Sequence, residues 1–336
     1  MVSFPWETFV LHRVAWIAEC PSDPRYRLPH FRRIQTSRPT KAMSKQAFDA
    51  KIAALEALRA SPATAAAGLR KALNDRNNYV VSKAAGVTGD LLIADLVPDL
   101  LAAFERALDG GKEADAQCWA KNAIAKALKD LNHRSVEPFL KGLRHIQLEP
   151  VWGGSVDTAA TLRGTCALAL IDCHLDDLSM LSLLAEALAD SEKTVRVDAA
   201  LALSRAGIPE AAPLLRLKAL TGDAEPEVIG QCLHSLLQMA PRDSVEFARR
   251  FLAHQHPDEI RAEAASALAQ SHEPAAVDAL IQMWRTVLSK DLRRALLAML
   301  AASPQRPAAA FLHGLDSAEA WEALESSRYR DEFRPR

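Results

Sequence analysis

A phrase of nine residues recurs along this chain at a fixed spacing. It is clearest at Val195 (VRVDAALAL) and Ile260 (IRAEAASAL), and it returns at Leu162 (LRGTCALAL) and Leu292 (LRRALLAML). A weaker copy starts at Val228, so the five starting positions are separated by 33, 33, 32 and 32 residues. A period of this length is typical of a solenoid, in which each helix pair buries its apolar face by stacking on its neighbours.

Each copy carries the signals of an amphipathic helix. Val195, Ala199 and Leu203 follow one another at a spacing of four, which places them on one face. Gly207 then ends the helix, and Pro209 opens the next one near its first turn. No β-branched run alternates with a period of two, so strands are not expected.

The composition limits the class of protein. Hydrophobic residues make up 49% of the chain and aromatic residues only 6%, so Ala and Leu dominate, as closely packed helices require. The net charge of −1 gives no reason to expect nucleic-acid binding, and no apolar run approaches the ~20 residues that span a bilayer. The five cysteines include no C-x-x-C pair. We interpret them as small core residues in a reducing compartment, and therefore predict a cytoplasmic protein.

Three regions differ in repeat character. Residues 1–42 lack the repeat and carry 7 Lys and Arg against 3 Asp and Glu. We predict that they are a disordered or artefactual extension, although a basic arm for an acidic partner is the alternative. Residues 43–315 hold the repeats, with insertions at 109–111 and 145–155 that are expected to lie in turns near the binding face. Residues 316–336 lose the period and are predicted to be a charged C-terminal cap or tail.

The phrase, with Gly207 and Pro209 after one copy and Pro274 after another, resembles the HEAT repeat family. The closest form is the short bacterial repeat of the phycobilisome-lyase type, and the similarity covers residues 45–315. This resemblance implies an all-α fold, a right-handed α-solenoid (superhelix) of about eight HEAT-like helix pairs. It implies no single function, because the family includes scaffolds, lyase subunits, hydroxylases and glycosylases.

Charged residues recur with the same period. An acidic residue precedes a basic one by six positions in three pairs: Asp115 and Lys121, Asp157 and Arg163, Asp190 and Arg196. The resemblance implies that these pairs form a structural ladder, with each Asp in a turn and each basic side chain on the second helix of its unit. Asp223 is expected to lack a partner, since Ile229 takes the place of the arginine.

The second helices should also form the binding surface. The resemblance implies that their side chains facing away from the core line a concave groove, which is polar and basic toward its N-terminal end. The predicted partner-binding residues there are Lys83, Trp119, Asn122, Lys126, Lys129 and Trp152. Such a groove suits an acidic or amphipathic segment of another protein. We therefore predict a non-catalytic interaction scaffold with a protein partner, without catalytic residues, cofactor or metal, and without nucleic-acid or membrane binding.

The alternative function is an enzyme or a lyase accessory subunit that uses the groove as its active site, similar to bilin-lyase or DNA-glycosylase HEAT proteins. Related deoxyhypusine hydroxylases hold two irons with His-Glu pairs within this phrase. Here the aligned pair is Ala262-Glu263, whereas His272-Glu273 lies in a turn. His254, in the pair His254-x-His256, has no further ligand at metal-binding spacing, so solvated histidines are expected.

Overall fold

The computed structural model describes residues 45–315, 317–329 and 332 of the 336-residue chain. These residues are helical along almost their whole length, and the repeats belong to the unit Gln46–Arg336. The all-α solenoid is therefore confirmed, with one two-stranded hairpin as an exception. The predicted extension, residues 1–42, lies outside the described residues.

The helices alternate between two layers. The outer layer holds the first helix of each pair: α2 (Pro62–Leu73), α4 (Val97–Asp109), α7 (Val136–Leu143), α9 (Asp177–Leu188), α11 (Ala211–Thr221), α13 (Pro241–Arg249), α15 (Pro274–Thr286) and α17 (Arg306–Gly314). The inner layer holds the second: α3 (Asn78–Asp90), α6 (Trp119–Asp130), α8 (Ala160–Leu170), α10 (Lys193–Arg205), α12 (Pro226–Met239), α14 (Asp258–Ala269), α16 (Lys290–Ala302) and α18 (Ala318–Glu325). Two further helices are α1 (Lys45–Ala57), before the first pair, and the four-residue α5 (Gly111–Ala114). The described residues thus form eight helix pairs.

The core runs as one strip between the layers. Each inner helix packs directly against the next inner helix, and the contacts between successive outer helices are sparser. In α10, Val195, Ala199 and Leu203 are fully buried, as their spacing predicts. The equivalent positions are buried in α8, α12 and α16, whereas Ile260 in α14 is only half-buried. The alanine-rich face lets successive inner helices approach each other closely.

Arginines at the second position of the phrase tie each repeat to the next. Arg163 Nη1 donates to Asp157 Oδ2 at 2.6 Å, within its own repeat. Its Nε and Nη2 atoms donate to the two carboxylate oxygens of Asp190, in the following turn, at 2.8 and 2.9 Å. Asp190 Oδ1 also accepts from the backbone N of Glu192, where α10 begins. One carboxylate therefore orders a helix start and holds the arginine of the preceding repeat. We call each such arginine–carboxylate pair a rung.

The next rung joins Arg196 to Asp223 with the same two-bond geometry, Nε to Oδ2 and Nη2 to Oδ1, both at 2.8 Å. Arg196 Nη1 donates to the carbonyl oxygens of Asp190 (2.9 Å) and Ser191 (2.7 Å). Lys218 Nζ lies 2.7 Å from Asp223 Oδ2. The expectation that Asp223 lacks a partner is wrong, because the carboxylate bonds the arginine of the preceding repeat and not one in its own.

Near the start of the array a lysine takes the place of the arginine, and the rung is an ion pair shielded from solvent. Lys121 Nζ lies 3.3 Å from Asp115 Oδ2, and both side chains are fully buried. Asp115 also accepts from the backbone N atoms of Ala120 and Lys121, and Lys121 Nζ donates to the carbonyl of Ala107 at 3.0 Å. Buried charges are tolerated only when paired and hydrogen-bonded, which makes this rung structural.

The insertion expected at residues 145–155 folds into a β-hairpin. Its strands β1 (Leu148–Val151) and β2 (Gly154–Asp157) pair in antiparallel fashion, with Val151 opposite Gly154 beside the tip. Gly153 has a φ of +85° there, a conformation that glycine adopts without a Cβ clash. Four-residue strands are too short to show an alternating pattern in the sequence. At the other end of the array, α18 packs on α16 and α17 and buries Ala320 and Leu324.

Candidate functional site

Four of the six predicted binding residues lie on one face of α6. Trp119, Asn122, Lys126 and Lys129 follow one another at spacings of three, four and three residues, so they form a stripe along the helix, which we call the α6 stripe. Trp119 and Lys126 are exposed, and Asn122 and Lys129 are half-buried. Lys83 lies on the neighbouring inner helix α3, and Trp152 lies at the tip of the hairpin.

An aspartate limits the positive charge of the α6 stripe. Asp130 accepts from Lys126 Nζ at 2.6 Å and from Lys129 Nζ at 3.0 Å. Burial alone would raise the pKa of Asp130, but these hydrogen bonds outweigh it and lower the pKa. The hydrogen bond to Asp130 raises the pKa of Lys126, which stays charged. The lysines therefore carry a local positive charge that one carboxylate partly offsets.

A row of aromatic rings crosses the N-terminal end of the array. The ring of Tyr79, at the start of α3, lies 5.2 Å from the ring of Trp119 and 5.8 Å from that of Phe48 in α1. Lys83 Nζ stands over the Tyr79 ring at 5.4 Å, within reach of a cation–π attraction. Lys83 thus joins the aromatic row, and the structure shows no ion pair for it among the described residues. The sequence analysis missed Tyr79, although Tyr79 and Trp119 occupy similar places at the start of the neighbouring inner helices α3 and α6.

Hydrogen bonds of Glu149 connect the hairpin to the turn before α6. Its Oε1 atom accepts from the backbone N of Gln117 (2.6 Å), from Gln147 Nε2 (2.7 Å) and from Thr158 Oγ1 (2.8 Å). Gln117 has a φ of +58° and Cys118 a φ of +57°, left-handed conformations that cost energy for residues with a Cβ. The hydrogen bond to Glu149 helps to hold this strained turn, so hairpin and turn position each other.

A cavity of about 520 Å³ separates the hairpin from the inner helices. We call it the hairpin cavity. Trp119 and Asn122 line it on the α6 side, and Glu149, Val151 and Val156 line it on the hairpin side. Glu149 pairs with Val156 across the strands, and Val151 lies on the same face as Glu149 because strand side chains alternate. Lys126 and Lys129 lie farther along α6, outside the lining of this cavity.

Around the hairpin cavity, one buried polar atom lacks a hydrogen-bond partner among the described residues, and several apolar side chains are exposed. Asn122 Oδ1 is buried and finds no hydrogen-bond donor within the described part of the chain. Apolar side chains of the hairpin are open to solvent instead: Leu148, Val151 and Val156 are half-exposed, and Trp152 is completely exposed. An exposed tryptophan at a hairpin tip contributes nothing to the core of its own fold. Large apolar side chains exposed together on one short hairpin favour an interaction site.

The other candidate chemistries find little support in the described residues. They contain no group of three or more His, Cys, Asp or Glu placed to hold a metal ion. His256 stacks on Phe251 at 5.3 Å. The cysteines outside residues 1–44 are free and buried, and burial raises the pKa of the Cys118 and Cys232 thiols to about 12. Thiols held protonated in this way are poor nucleophiles.

Comparison with known proteins identifies the repeat. Residues 215–301 match the family model for HEAT repeats, and the alternating helices extend the same architecture over the described array. Residues 215–301 therefore carry HEAT repeats, as the resemblance of the recurring phrase indicates, within an all-α solenoid. None of the curated proteins matches the sequence. No helix within the described ranges is both long and apolar enough to cross a membrane.

The chain is similar to several solved structures, including these three. The complex of CpcE and CpcF of phycocyanin lyase from Nostoc sp. PCC7120 shares 20% identity, with 68% of this chain and 91% of that chain covered and a TM-score of 0.38. Human deoxyhypusine hydroxylase in complex with glycerol shares 21% identity, with 76% and 90% covered and a TM-score of 0.30. An engineered protein shares 18% identity, with 77% and 94% covered and a TM-score of 0.26. Superpositions this loose carry no argument about a site or an activity.

Proposed function

We propose that this HEAT-repeat scaffold binds a partner protein at its N-terminal end, through the hairpin, the hairpin cavity and the α6 stripe. The observation that carries the proposal is the exposed apolar surface of the hairpin, with Trp152 at its tip and Val151 and Val156 at the cavity. Tryptophan is enriched among the residues that dominate binding energy at protein interfaces. The surface is held rigid by Glu149, which reduces the entropy lost on binding.

The surface favours an amphipathic segment as the partner. An apolar side chain of that segment would enter the hairpin cavity between Trp119 and Val156, and a backbone N–H beside it would donate to Asn122 Oδ1. An acidic residue farther along the segment would reach Lys126, which is exposed and stays charged. Because Asp130 already offsets part of this charge, apolar contact supplies most of the affinity, and the lysines set orientation and association rate.

The test is a set of hairpin variants assayed against partners recovered from the source cell. Trp152→Ala and Val156→Asp should each lower the affinity for a purified partner at least tenfold, since hot-spot truncations cost about 2 kcal/mol or more. Leu178→Asp is the matched control, because Leu178 is an exposed leucine on the outer helix α9. Lys126→Glu with Lys129→Glu should weaken binding more at low salt than at high salt.

Two results would count against the proposal. Equal affinities for wild type, Trp152→Ala and Val156→Asp would remove the hairpin from the interface. A loss of affinity in Leu178→Asp as large as in Val156→Asp would show a nonspecific effect of surface charge. Circular dichroism of each variant separates either result from unfolding, since the hairpin carries no buried core residue of the solenoid.

We place the protein in the cytoplasm in this proposal, supported by the reduced, buried cysteines in the described residues. The alternative, an enzyme or lyase accessory subunit, needs titratable groups that converge in the groove. In the hairpin cavity, the lining carboxylates Glu149 and Asp157 are already committed to structural hydrogen bonds. The cavity therefore suits recognition better than acid–base chemistry.

A further inference from the structure

Two rungs of the ladder are missing toward the C-terminus, one where Ile229 replaces the arginine and one after Arg261. Arg261 occupies the second position of its phrase, as Arg163 and Arg196 do in theirs. In those repeats the carboxylate of the next turn stands two residues before the N-cap of the next inner helix: Asp190 before Glu192, and Asp223 before Glu225. The N-cap of α16 is Ser289, so the equivalent position is Val287, a buried residue without a carboxylate.

Arg261 consequently has different bonds. Its Nε atom donates to the carbonyl of Leu252 at 3.2 Å, and its Nη1 atom donates to Asp258 Oδ1 at 2.7 Å. Its Nη2 atom, which in the regular rungs faces a carboxylate oxygen, has no acceptor among the residues that the structure describes. The side chain is 12% exposed, and Nη2 is not one of the solvent-shielded polar atoms, so this donor is open to an incoming ligand. An anion that reaches it gains a charge-assisted hydrogen bond.

A cavity of about 810 Å³ adjoins this arginine. We call it the C-terminal cavity. Arg249 contributes a second guanidinium, whose Nη2 donates to Gln282 Oε1 at 2.9 Å. Within the lining two arginines face one carboxylate, Asp258, while Glu246, outside the lining, lies 3.7 Å from Arg249 Nη1. Leu252 and Met283 form apolar wall, and Leu288, completely exposed, stands in the lining as well.

We propose that the C-terminal cavity binds an external carboxylate attached to an apolar group of moderate size. The carboxylate replaces the missing rung at Arg261 and contacts Arg249, while the apolar group packs on Leu252, Met283 and Leu288. A carboxylate is the ligand that the same arginine position binds twice elsewhere in this chain, in Arg163 and Arg196. At Arg261 the carboxylate bonds Nη2, because Nε and Nη1 already donate to Leu252 and Asp258, and Arg249 supplies the second charge-assisted contact. A free acid and the C-terminal end of a peptide share this chemistry.

The experiment uses isothermal titration of the full-length protein with defined probes. Sodium octanoate should bind with one-to-one stoichiometry, octanamide at least about tenfold more weakly because it lacks the charge, and acetate more weakly because it lacks the apolar part. Acetyl-Ala-Ala-Leu with a free carboxylate, compared with its amide, distinguishes the sources. Tighter binding of the peptide than of octanoate identifies a peptide end, and the reverse order identifies a free acid.

Variants locate the site. Arg261→Gln should weaken octanoate binding about tenfold or more, and Arg249→Gln and Leu288→Ser severalfold each, whereas Arg294→Gln, an exposed arginine of α16 outside the cavity, should leave it unchanged. Val287→Asp supplies the missing carboxylate from the chain itself and should abolish binding.

Equal binding of octanoate and octanamide would overturn the proposal. So would octanoate binding that is unchanged in both Arg261→Gln and Arg249→Gln. The Arg249→Gln and Leu288→Ser variants keep the test valid if Arg261→Gln or Val287→Asp does not fold, because those two side chains are exposed at the surface.

Discussion

Arg196→Ala is the perturbation that tests the ladder most directly. Arg196 is almost completely buried and joins two repeats through four hydrogen bonds. Two of these bonds reach the carboxylate of Asp223, and two reach the carbonyl oxygens of Asp190 and Ser191. Truncation at Cβ removes all four donors and leaves their acceptors in place, which is the more costly way to break a buried network.

We expect a loss of about 3 kcal/mol in the free energy of unfolding. Removing one partner of a buried ion pair costs about 3–5 kcal/mol, because the other charge stays buried. The lower end of the range applies here, since Lys218 Nζ remains 2.7 Å from Asp223 Oδ2 and continues to neutralise it. Arg196→Lys should recover only part of the loss, because an ammonium cannot reproduce the two parallel bonds of a guanidinium.

The assay is urea unfolding followed by far-ultraviolet circular dichroism, at several pH values. Burial alone would raise the pKa of Asp223, but its hydrogen bonds from Arg196 and Lys218 hold it well below the usual range. A group with a depressed pKa in the folded state stabilises above its unfolded pKa, about 3.9 for Asp, and loses that contribution as the pH falls further. The difference between wild type and Arg196→Ala should therefore be constant from neutral pH down to about pH 4 and shrink below it.

The control is Arg205→Ala, at the exposed end of the same helix. A surface truncation of this kind should change stability by no more than about 0.5 kcal/mol. Because repeat arrays can unfold in stages, hydrogen exchange of α10 and α12 should show that the loss is centred on the broken rung. The reasoning fails if Arg196→Ala unfolds at the wild-type urea concentration, or if Arg205→Ala is equally destabilised.

Three further predictions concern the rest of the chain. Leu203→Ala should lower the free energy of unfolding in urea by about 2–5 kcal/mol, because truncation of a fully buried leucine leaves a cavity. A loss under about 1 kcal/mol would contradict this prediction and show that the neighbouring side chains fill the space. Burial raises the pKa of Asp198, so the folded state favours the protonated carboxyl and loses stability as the pH rises and this carboxyl ionises. Asp198→Asn should therefore raise the melting temperature at about pH 7 but not below about pH 4. An equal gain at both pH values would contradict this prediction. A chain that starts at Met43 should keep the helicity and melting temperature of the full chain, whereas a drop of many degrees would show that residues 1–42 cover the first repeat.

The helices and their buried faces were predictable because both depend on local periodicity. A spacing of three and four residues places Val195, Ala199 and Leu203 on one side of a helix whatever its neighbours are. The ladder was predictable only in part. Spacing within one repeat indicates the bond from Arg163 to Asp157, but the bonds to Asp190 and Asp223 depend on how far the next repeat rotates and rises, which one phrase does not encode.

The binding surface was harder to predict from the sequence for a similar reason. The α6 stripe follows from helix geometry alone, and the pairing of Lys126 with Asp130 is an i,i+4 signal that the sequence does contain. The hairpin brings Glu149 to the backbone of Gln117, 32 residues away, and no local pattern reports such a contact. The strained turn at Gln117 and Cys118 lacks the glycine that normally signals positive φ, so it was hidden as well.

Both proposed binding sites lie where the repeat is interrupted, and the ladder explains why. In a regular repeat each arginine and each carboxylate is used within the stack, so no charged group remains for a ligand. After Arg261 the carboxylate is absent and a cavity takes its place. At the hairpin the rung residue has a second role, because Asp157 ends β2, accepts from Arg163 through Oδ2, and accepts from the backbone of Gln147 through Oδ1 at 3.1 Å. Asp157 therefore sets the base of the hairpin and holds Arg163, which bonds Asp190 of the next repeat, so that a loss of Arg163 should displace the partner surface as well as loosen the stack.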